Sequence, residues 1–416
     1  MNLQEKLLER FLRYAAVTTQ SRAESTEVPS TPGQWDLARM LEKELKELGL
    51  RDVSVDGHAI VTGTLPSRLP EGHGPVPVVG WVAHMDTVDV GMSPDVHPQV
   101  IRNYQGEDIC QNPEKQIYIR VGEHPELLKY IGQDLVVSDG TSVLGADNKA
   151  AVANIMTALE VLKEHPEIPH GEIHIAFVPD EEIGLCGAKV MDLSRFPVDF
   201  AYTIDCCAQG ELVYQTFNAA HGRLSITGVT AHPMSSKNHT VNPILIAVDF
   251  INLLDRGETP EHTEKTEGYI WVNGIEGNQL NAVVKLNIRD HSREKFLARK
   301  EYLEACTEMM KKRHPKAKLS LELKDDYGNI SDALTPENRK CVDYLFRAMR
   351  ELGIEIQDIA MRGGTDGSFL STRGIPTPNY FTGAENFHSV SEFLPLGAME
   401  NSCRTTLKLI ELITAG

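Results

Sequence analysis

The strongest constraint on the fold is an alternation of short apolar runs and longer amphipathic stretches in the first half of the chain. Three apolar runs of strand length end in Asp, Glu or His, at residues 75–86, 172–182 and 199–205. Residues 34–50 and 146–165 instead repeat apolar side chains at intervals of three and four, which is the spacing of a helix. Strands that alternate with helices predict an α/β domain with a mostly parallel sheet.

A second pattern replaces the first between residues 219 and 327. Here the apolar spacing predicts a strand, a helix, two strands, a helix and a strand, in that order. This β-α-β-β-α-β order is the ferredoxin-like α+β arrangement. Because 416 residues are enough for two hydrophobic cores, we predict a larger α/β domain in two segments, 1–218 and 328–416. A second domain, inserted between these segments, would occupy 219–327.

Composition argues against several classes of function. The formal net charge of −18 disfavours nucleic-acid partners, because phosphate backbones bind basic surfaces. No stretch reaches the roughly 18 consecutive apolar residues of a membrane span. Charged residues interrupt the apolar positions near the N-terminus, unlike a secretory signal, so we expect a cytoplasmic protein. The seven cysteines are expected to be reduced thiols in that compartment.

Histidine and carboxylate side chains follow the predicted strands, at the sheet edge where α/β proteins bind ligands. The set comprises His84, Asp86, Asp147, Glu181, Glu182, Asp205 and His388. Two imidazoles with several carboxylates form a donor set that suits zinc, cobalt or manganese better than calcium. Asp86 lies two residues beyond His84, so its carboxylate is placed to accept the second ring N–H of that histidine.

Each of these residues also has an ordinary structural interpretation. His84 could be a histidine at a strand end, and Asp147 could cap the helix that follows it. Glu181 and Glu182 could be a solvated pair, although adjacent carboxylates after an apolar strand are costly unless a cation neutralises them. In an extended backbone these two side chains point in opposite directions, so that one could be a ligand and the other a base. The remaining members are weak signals when taken singly.

Ordered motifs along nearly the whole chain resemble the dinuclear M20-type metallopeptidases, and most closely their peptidase T branch, the tripeptide aminopeptidases. The motifs are AHMDTVD, SDGTSVLGADNKAAVANIMTAL, PDEEIG, YTID, TGVTAHP, EGYIWVNG, NIRDH, MRGGTDGSFLSTRGIPTPNYFTG and the segment around His388. A single one of these motifs would be a weak signal, whereas the ordered set is specific. The resemblance implies a zinc-exopeptidase-like catalytic domain with an inserted ferredoxin-like domain.

The resemblance also implies a metal centre of two zinc ions, which cobalt or manganese could replace. His84 and Asp205 would bind the first ion and Glu182 and His388 the second. Asp147 would bridge the two. Two ions at such a separation can share one water molecule and lower its pKa.

Four further roles follow from the same resemblance. Asp86 would support His84, and Glu181 would be the general acid/base that carries a proton to the leaving amine. His232 would donate to the oxyanion and Arg289 would bind the substrate carboxylate, in which case the two domains must close over the substrate. His232 could otherwise be a turn histidine beside Pro233, and Arg289 a solvated strand residue.

The implied activity is release of the N-terminal residue from tripeptides, with a short peptide as the substrate and a homodimer as a possible assembly. A dipeptidase, a carboxypeptidase or an N-acyl-amino-acid deacylase could use the same metal framework. A metal- or peptide-binding protein without catalysis would have lost Glu181 or a ligand, and all are present. Cys206, Cys207 and Met234 stand where the branch favours glycines, so they bear on substrate preference.

Overall fold

The computed structural model describes residues 2–416. The helices follow the amphipathic stretches of the sequence. They are α1 (Leu3–Ala15), α2 (Gly33–Leu48), α3 (Ala146–Glu164), α4 (Cys186–Val190), α5 (Pro243–Ile251), α6 (Arg293–Arg313), α7 (Lys340–Glu351), α8 (Asp366–Thr372) and α9 (Leu396–Ala415).

The strands range from three to ten residues in length. They are β1 (Arg51–Val55), β2 (Val61–Leu65), β3 (Val79–His84), β4 (Gln99–Ile101), β5 (Ile109–Asn112), β6 (Ile117–Ile119), β7 (Leu135–Val137), β8 (Ile173–Val178), β9 (Phe200–Cys206), β10 (Glu211–Gln215), β11 (Asn218–Thr227), β12 (Tyr269–Gly277), β13 (Asn281–Asp290), β14 (Lys318–Tyr327), β15 (Gln357–Ala360), β16 (Asn379–Phe381) and β17 (Phe393–Pro395).

Two helices show how local sequence sets their limits. α2 buries Leu37, Leu41 and Leu45 and ends at Gly49, whose φ of 91° lies in the left-handed region that glycine adopts without steric cost. α3 is buried at every position from Ala146 to Leu159. A helix that is buried on all sides lies in the core, and α3 packs against α1, α9 and β3.

The chain divides into two compact units. The first comprises the described residues up to Tyr214, together with Ala333–Ile359 and Thr365–Gly416. Its main sheet has the strand order β1-β2-β8-β3-β9-β16-β10-β15. The four central strands, β8, β3, β9 and β16, run parallel, and β3 and β8 are buried throughout, as parallel strands covered on both faces should be.

The α/β prediction is confirmed at the centre of this sheet, while its flanks are antiparallel. β1 and β2 form a hairpin because a short turn joins them, with the N–H of Asp56 donating to the carbonyl of Ile60. β10 likewise runs antiparallel to β16. The parallel strands β3, β8 and β9 therefore present their carboxyl ends at one edge, where α/β sheets bind ligands.

The second unit comprises Gln215–Asp332 and Ala360–Gly364. Its sheet is antiparallel with the order β12-β13-β11-β14. Apolar side chains of these strands form one core with α5 and α6, so the β-α-β-β-α-β order holds. The unit extends beyond the sequence-based range of 219–327. It also takes in Ala360–Gly364, because the N–H of Phe217 donates to Gly363 and Arg362 donates to the carbonyl of Glu267.

Two expectations of composition can be compared with the described residues. No helix among residues 2–416 is long and apolar enough to cross a membrane. All seven cysteines are free thiols, including the adjacent Cys206 and Cys207.

Candidate metal centre

Seven of the nine sequence-predicted site residues lie together in the first unit, at the carboxyl edge of the parallel strands. They are His84, Asp86, Asp147, Glu181, Glu182, Asp205 and His388. His84 ends β3, Glu181 and Glu182 follow β8, and Asp205 lies in β9. The edge of the sheet thus brings together donors that are far apart in sequence.

The carboxylate of Asp147 lies between two imidazoles. Its Oδ1 is 3.0 Å from Nε2 of His84, and its Oδ2 is 2.9 Å from Nε2 of His388. Asp147 is near the start of α3, where it and Asn148 depart from helical torsions and are joined by a cis peptide bond. One carboxylate therefore faces a histidine with each of its oxygens.

Two overlapping groups of donor atoms form around this carboxylate. His84, Asp147 and Asp205 make one group, and Asp147, Glu182 and His388 make the other, with the donor atoms of each group within 4.8 Å of one another. Asp205 Oδ1 is 3.9 Å from His84 Nε2, and Glu182 Oε1 is 3.0 Å from His388 Nε2. Glu182 Oε1 is buried yet has no well-directed hydrogen bond within the described chain.

The electrostatics of the cluster indicate a shortage of positive charge. Burial, followed by the charge of Asp147, raises the pKa of Glu182 to about 7. The same two causes raise the pKa of Asp205 well above its usual range, and burial does so for Glu181. Hydrogen bonding to Asp147 and then Glu182 raises the pKa of His388 to about 11. The two imidazoles carry too little positive charge to balance this many carboxylates, and divalent cations would supply the rest.

Asp86 differs in one respect from the sequence-based expectation. The nearest acceptor to Nδ1 of His84 is the backbone carbonyl of Asp86, at 3.1 Å, whereas its carboxylate Oδ1 is at 3.4 Å. The carboxylate instead accepts the N–H groups of Glu181 at 2.9 Å and Glu182 at 3.2 Å. Asp86 lies beyond the end of β3, so strand geometry does not set its direction.

The prediction that Glu181 and Glu182 separate through an extended backbone is wrong. They lie in a turn in which the N–H of Leu185 donates to the carbonyl of Glu181. The turn starts at Asp180, whose φ is 56°. The carboxylate of Asp180 is held by Ser30 through its N–H and hydroxyl and by the side-chain amide of Gln34, at 2.7 Å.

Sequence reasoning missed two further buried carboxylates near the centre. Asp366, at the start of α8, has a pKa raised to about 7 by burial, and its Oδ1 has no hydrogen bond within the part of the chain that is described. Glu392 follows His388 on the same loop and accepts three backbone N–H groups. Both residues fall inside motifs quoted above, but no spacing rule distinguishes them from solvated acids.

The other two predicted residues, His232 and Arg289, belong to the second unit. His232 is exposed, and its Nδ1 accepts the N–H of Met234 at 3.2 Å. Arg289 lies on β13, where its Nη1 donates to the carbonyls of Ala220 and Ile288 at 2.8 and 2.9 Å. Both side chains are therefore anchored to backbone at one end.

Comparisons with known proteins add sequence relationships to this geometry. Residues 145–412 match the model of peptidase family M20/M25/M40. A peptidase T-like protein of Rhizobium meliloti is 52% identical over 99% of this chain and 99% of its own. Peptidase T of Clostridium novyi is 43% identical over 98% of this chain and 99% of its own.

A comparison of three-dimensional structures shows a matching fold. The crystal structure of a tripeptidase from Staphylococcus aureus superposes with a TM-score of 0.76 at 24% identity and covers 99% of both chains. At that identity the likeness concerns the fold, which is the same from one end of the chain to the other.

Proposed function

The chain belongs to peptidase family M20/M25/M40, and on that premise we propose that it is a metal-dependent aminopeptidase that releases the N-terminal residue of tripeptides. The peptidase T-like protein of Rhizobium meliloti and peptidase T of Clostridium novyi match 99% and 98% of this chain at 52% and 43% identity. This supports an aminopeptidase activity on tripeptides over the other activities on the same framework.

The observation that carries the proposal is the position of Asp147 between His84 and His388. A carboxylate that presents one oxygen to each of two imidazoles suits a bridging ligand. His84 and Asp205 would complete one cation site, and Glu182 and His388 the other. Each site would then have one imidazole nitrogen and two carboxylates, a donor set that suits zinc. Oε1 of Glu182 is buried, has no well-directed hydrogen bond within the described chain and lies 3.0 Å from Nε2 of His388, which suits a ligand atom of the second site.

When bound, two divalent cations supply Lewis acidity and lower the pKa of water. Glu181 would then accept a proton and pass it to the leaving amine. Its position supports this role, because the Asp86 carboxylate accepts the backbone N–H of Glu181 at 2.9 Å and the half-buried side chain lies within range of the charges of His84 and Asp205. Glu182, one residue on, faces His388 instead.

We propose that His232 and Arg289 act on the substrate. Because Nδ1 of His232 accepts a backbone N–H, its neutral ring carries the proton on Nε2, where it can donate to an oxyanion. The guanidinium of Arg289 is held through Nη1, with Asp326 3.9 Å away and the ring of Tyr327 centred 5.7 Å away. An anchored guanidinium is suited to bind a substrate carboxylate.

The test is hydrolysis of a matched set: a dipeptide, a tripeptide, a tetrapeptide and an N-acetylated tripeptide, before and after chelation. We expect release of the N-terminal residue to be fastest from the free tripeptide and absent from the acetylated one. Chelation should abolish this release, and addition of zinc, cobalt or manganese should restore it. Preference for the dipeptide or the acetylated peptide would reject the tripeptide assignment in favour of a dipeptidase or deacylase. Release from the C-terminus would indicate a carboxypeptidase.

Three finer statements belong to the same proposal. We propose that zinc is the native metal, that the protein acts in the cytoplasm, and that 219–327 forms an inserted lid or dimerisation domain. The seven free thiols suit a reducing compartment. Metal analysis of protein purified from its own cells would decide the first statement.

A further inference from the structure

A buried carboxylate outside the donor set holds the loop that carries Asp147. Glu392 is 1% exposed. Its Oε2 accepts the N–H groups of Leu144 and Gly145 at 2.7 and 2.8 Å, and its Oε1 accepts the N–H of Asp147 at 3.1 Å. Both oxygens of one side chain therefore accept backbone N–H groups of the same loop.

The loop needs such support because its backbone is irregular. Gly145 has a φ of 73°, and a Cβ at that position would lie 2.9 Å from the Cγ2 of Thr87. Asp147 has a ψ of 99°, outside the helical range, although it lies in the first turn of α3. N–H groups at a helix start have no partner within the helix. Here the carboxylate of Glu392 accepts the N–H groups of Leu144, Gly145 and Asp147.

The loop that contains Glu392 also contains His388, which faces the second oxygen of Asp147. One loop therefore supplies both a candidate ligand and the anchor for the bridging carboxylate. The distance from His84 to one oxygen of Asp147 and from His388 to the other depends on how the Asp147 backbone is held.

We infer that Glu392 is a positioning residue for the metal centre: its carboxylate fixes the Leu144–Asp147 backbone so that Asp147 faces His84 and His388 together. This inference rests on the metal centre proposed above. Glu392 touches neither ligand side chains nor substrate in this role, and it acts through the backbone of Asp147.

A purely structural role makes a different prediction. If Glu392 only caps α3, its loss lowers thermal stability and leaves metal affinity unchanged. If it positions Asp147, metal affinity falls in protein that is still folded. Replacement of residues that support metal ligands typically costs 10–100-fold in affinity.

The experiment compares the full-length chain with Glu392→Gln, Glu392→Asp and the control Glu385→Gln. Each protein is stripped with a chelator and titrated with Co²⁺, followed by calorimetry and by visible absorption, which reports ligand geometry. Glu385 is a matched control because it is buried on the same loop and accepts the Tyr130 hydroxyl at 2.6 Å, a bond that glutamine preserves. Circular dichroism and thermal unfolding of the stripped proteins measure folding separately.

We expect Glu392→Gln to bind Co²⁺ about 10–100-fold more weakly, with an altered spectrum, because an amide N–H₂ replaces an acceptor facing N–H donors. Glu385→Gln should match the wild type. A Glu392→Gln protein with wild-type affinity and spectrum overturns the inference. If that variant does not fold, Glu392→Asp decides, since it keeps the charge but is too short to reach all three N–H groups. Unchanged affinity there also overturns it. A wild-type chain that takes up no Co²⁺ would instead refute the metal centre itself.

Discussion

The two candidate ligand histidines differ in how the fold holds them. His84 ends the central strand β3, and 1% of its side chain is exposed. His388 lies in a loop with a φ of 61°, and 47% of its side chain is exposed. The same carboxylate, that of Asp147, faces both. From the exposure of their histidines, we call His84 and Asp205 the buried half of the centre, and Glu182 and His388 the open half. The carboxylates of Asp205 and Glu182 are themselves similarly buried.

The comparison teaches that His84 is fixed within a sheet, whereas His388 lies on a loop that is held at its ends and by side-chain contacts. β3 pairs with β8 and β9 on its two sides, so the backbone ladder sets the position of His84. The loop of His388 is closed by backbone bonds between Glu385 and Phe393. Within it, the amide of Asn386 donates to Glu126 at 2.7 Å and to the carbonyl of Ser391 at 3.3 Å. We therefore expect the buried half to bind its ion more tightly and to exchange it more slowly.

The largest expected effect separates two adjacent glutamates, the proposed general base Glu181 and the candidate ligand Glu182. Glu181→Gln should lower kcat by about 10²–10⁴-fold, the usual contribution of a general base, while the protein keeps both ions. Glu182→Gln should lose one ion, the one in the open half. Peptide turnover and metal content by mass spectrometry measure both outcomes. An active Glu181→Gln protein would show that another group carries the proton.

The next effect compares the histidines directly in metal-free protein. His84→Ala removes the cation from a set of largely buried carboxylates, so we expect the free energy of unfolding to fall by about 3–5 kcal/mol. His388→Ala should cost no more than about 1 kcal/mol, because solvent screens a side chain that is nearly half exposed. Urea denaturation of both variants measures this. Equal losses of stability in His84→Ala and His388→Ala would contradict the distinction between the buried half and the open half.

Added metal should oppose the pH dependence of stability that the metal-free protein shows. Burial lowers the pKa of His84, but contacts with Asp147 and Asp86 raise it well above its usual value, and that of His388 is raised to about 11. The folded chain therefore keeps these protons when the unfolded chain has released them. The stability they contribute is complete below a pH of about 6.5 and is lost as the pH rises towards the folded values.

In the metal-loaded protein the ligands must be deprotonated, so metal binding strengthens as the pH rises. We therefore expect the Tm of stripped protein to fall between pH 6 and 9, and the gain in Tm on adding Zn²⁺ to widen over the same range. A shift of about 1 kcal/mol corresponds to roughly 2–4 °C. A stripped protein whose Tm rises with pH would contradict the charge balance described for the centre.

The smallest effect concerns the loop of the open half. Asn386→Ala removes the amide that ties this loop to Glu126, at a cost of about 0.5–1.5 kcal/mol in stability. We expect the ion of the open half to dissociate faster and that of the buried half to be unaffected. Competition with a coloured chelator, which resolves two release rates, measures this. Equal acceleration of both rates would show that the halves are coupled.

The sequence predicted those parts of the site that depend on regular structure. Apolar runs that end in acids placed His84, Glu182 and Asp205 at one sheet edge, and the order of strands and helices predicted the ferredoxin-like sheet. Both signals are local, because strand and helix periodicity can be read within a dozen residues.

The parts that local patterns did not indicate depend on partners distant in sequence. Asp86 turns its carboxylate to the N–H groups of Glu181 and Glu182, in a turn opened by Asp180 with a φ of 56°. The three-residue strand β7 exists because it pairs with β17 and β4. Glu392 gives no local signal, since its three donors lie some 245–248 residues away in the chain.

The order of these segments along the chain also matters for synthesis. A polypeptide is made from its N-terminus, and domains generally fold as they emerge. His84, Asp147, Glu182 and Asp205 are all translated before the second unit, while His388 and Glu392 follow it. A growing chain therefore lacks one candidate ligand, and the residue that we propose as the anchor of another, until after that unit has been made. The peptidase would complete its candidate metal centre only after the second unit has been translated.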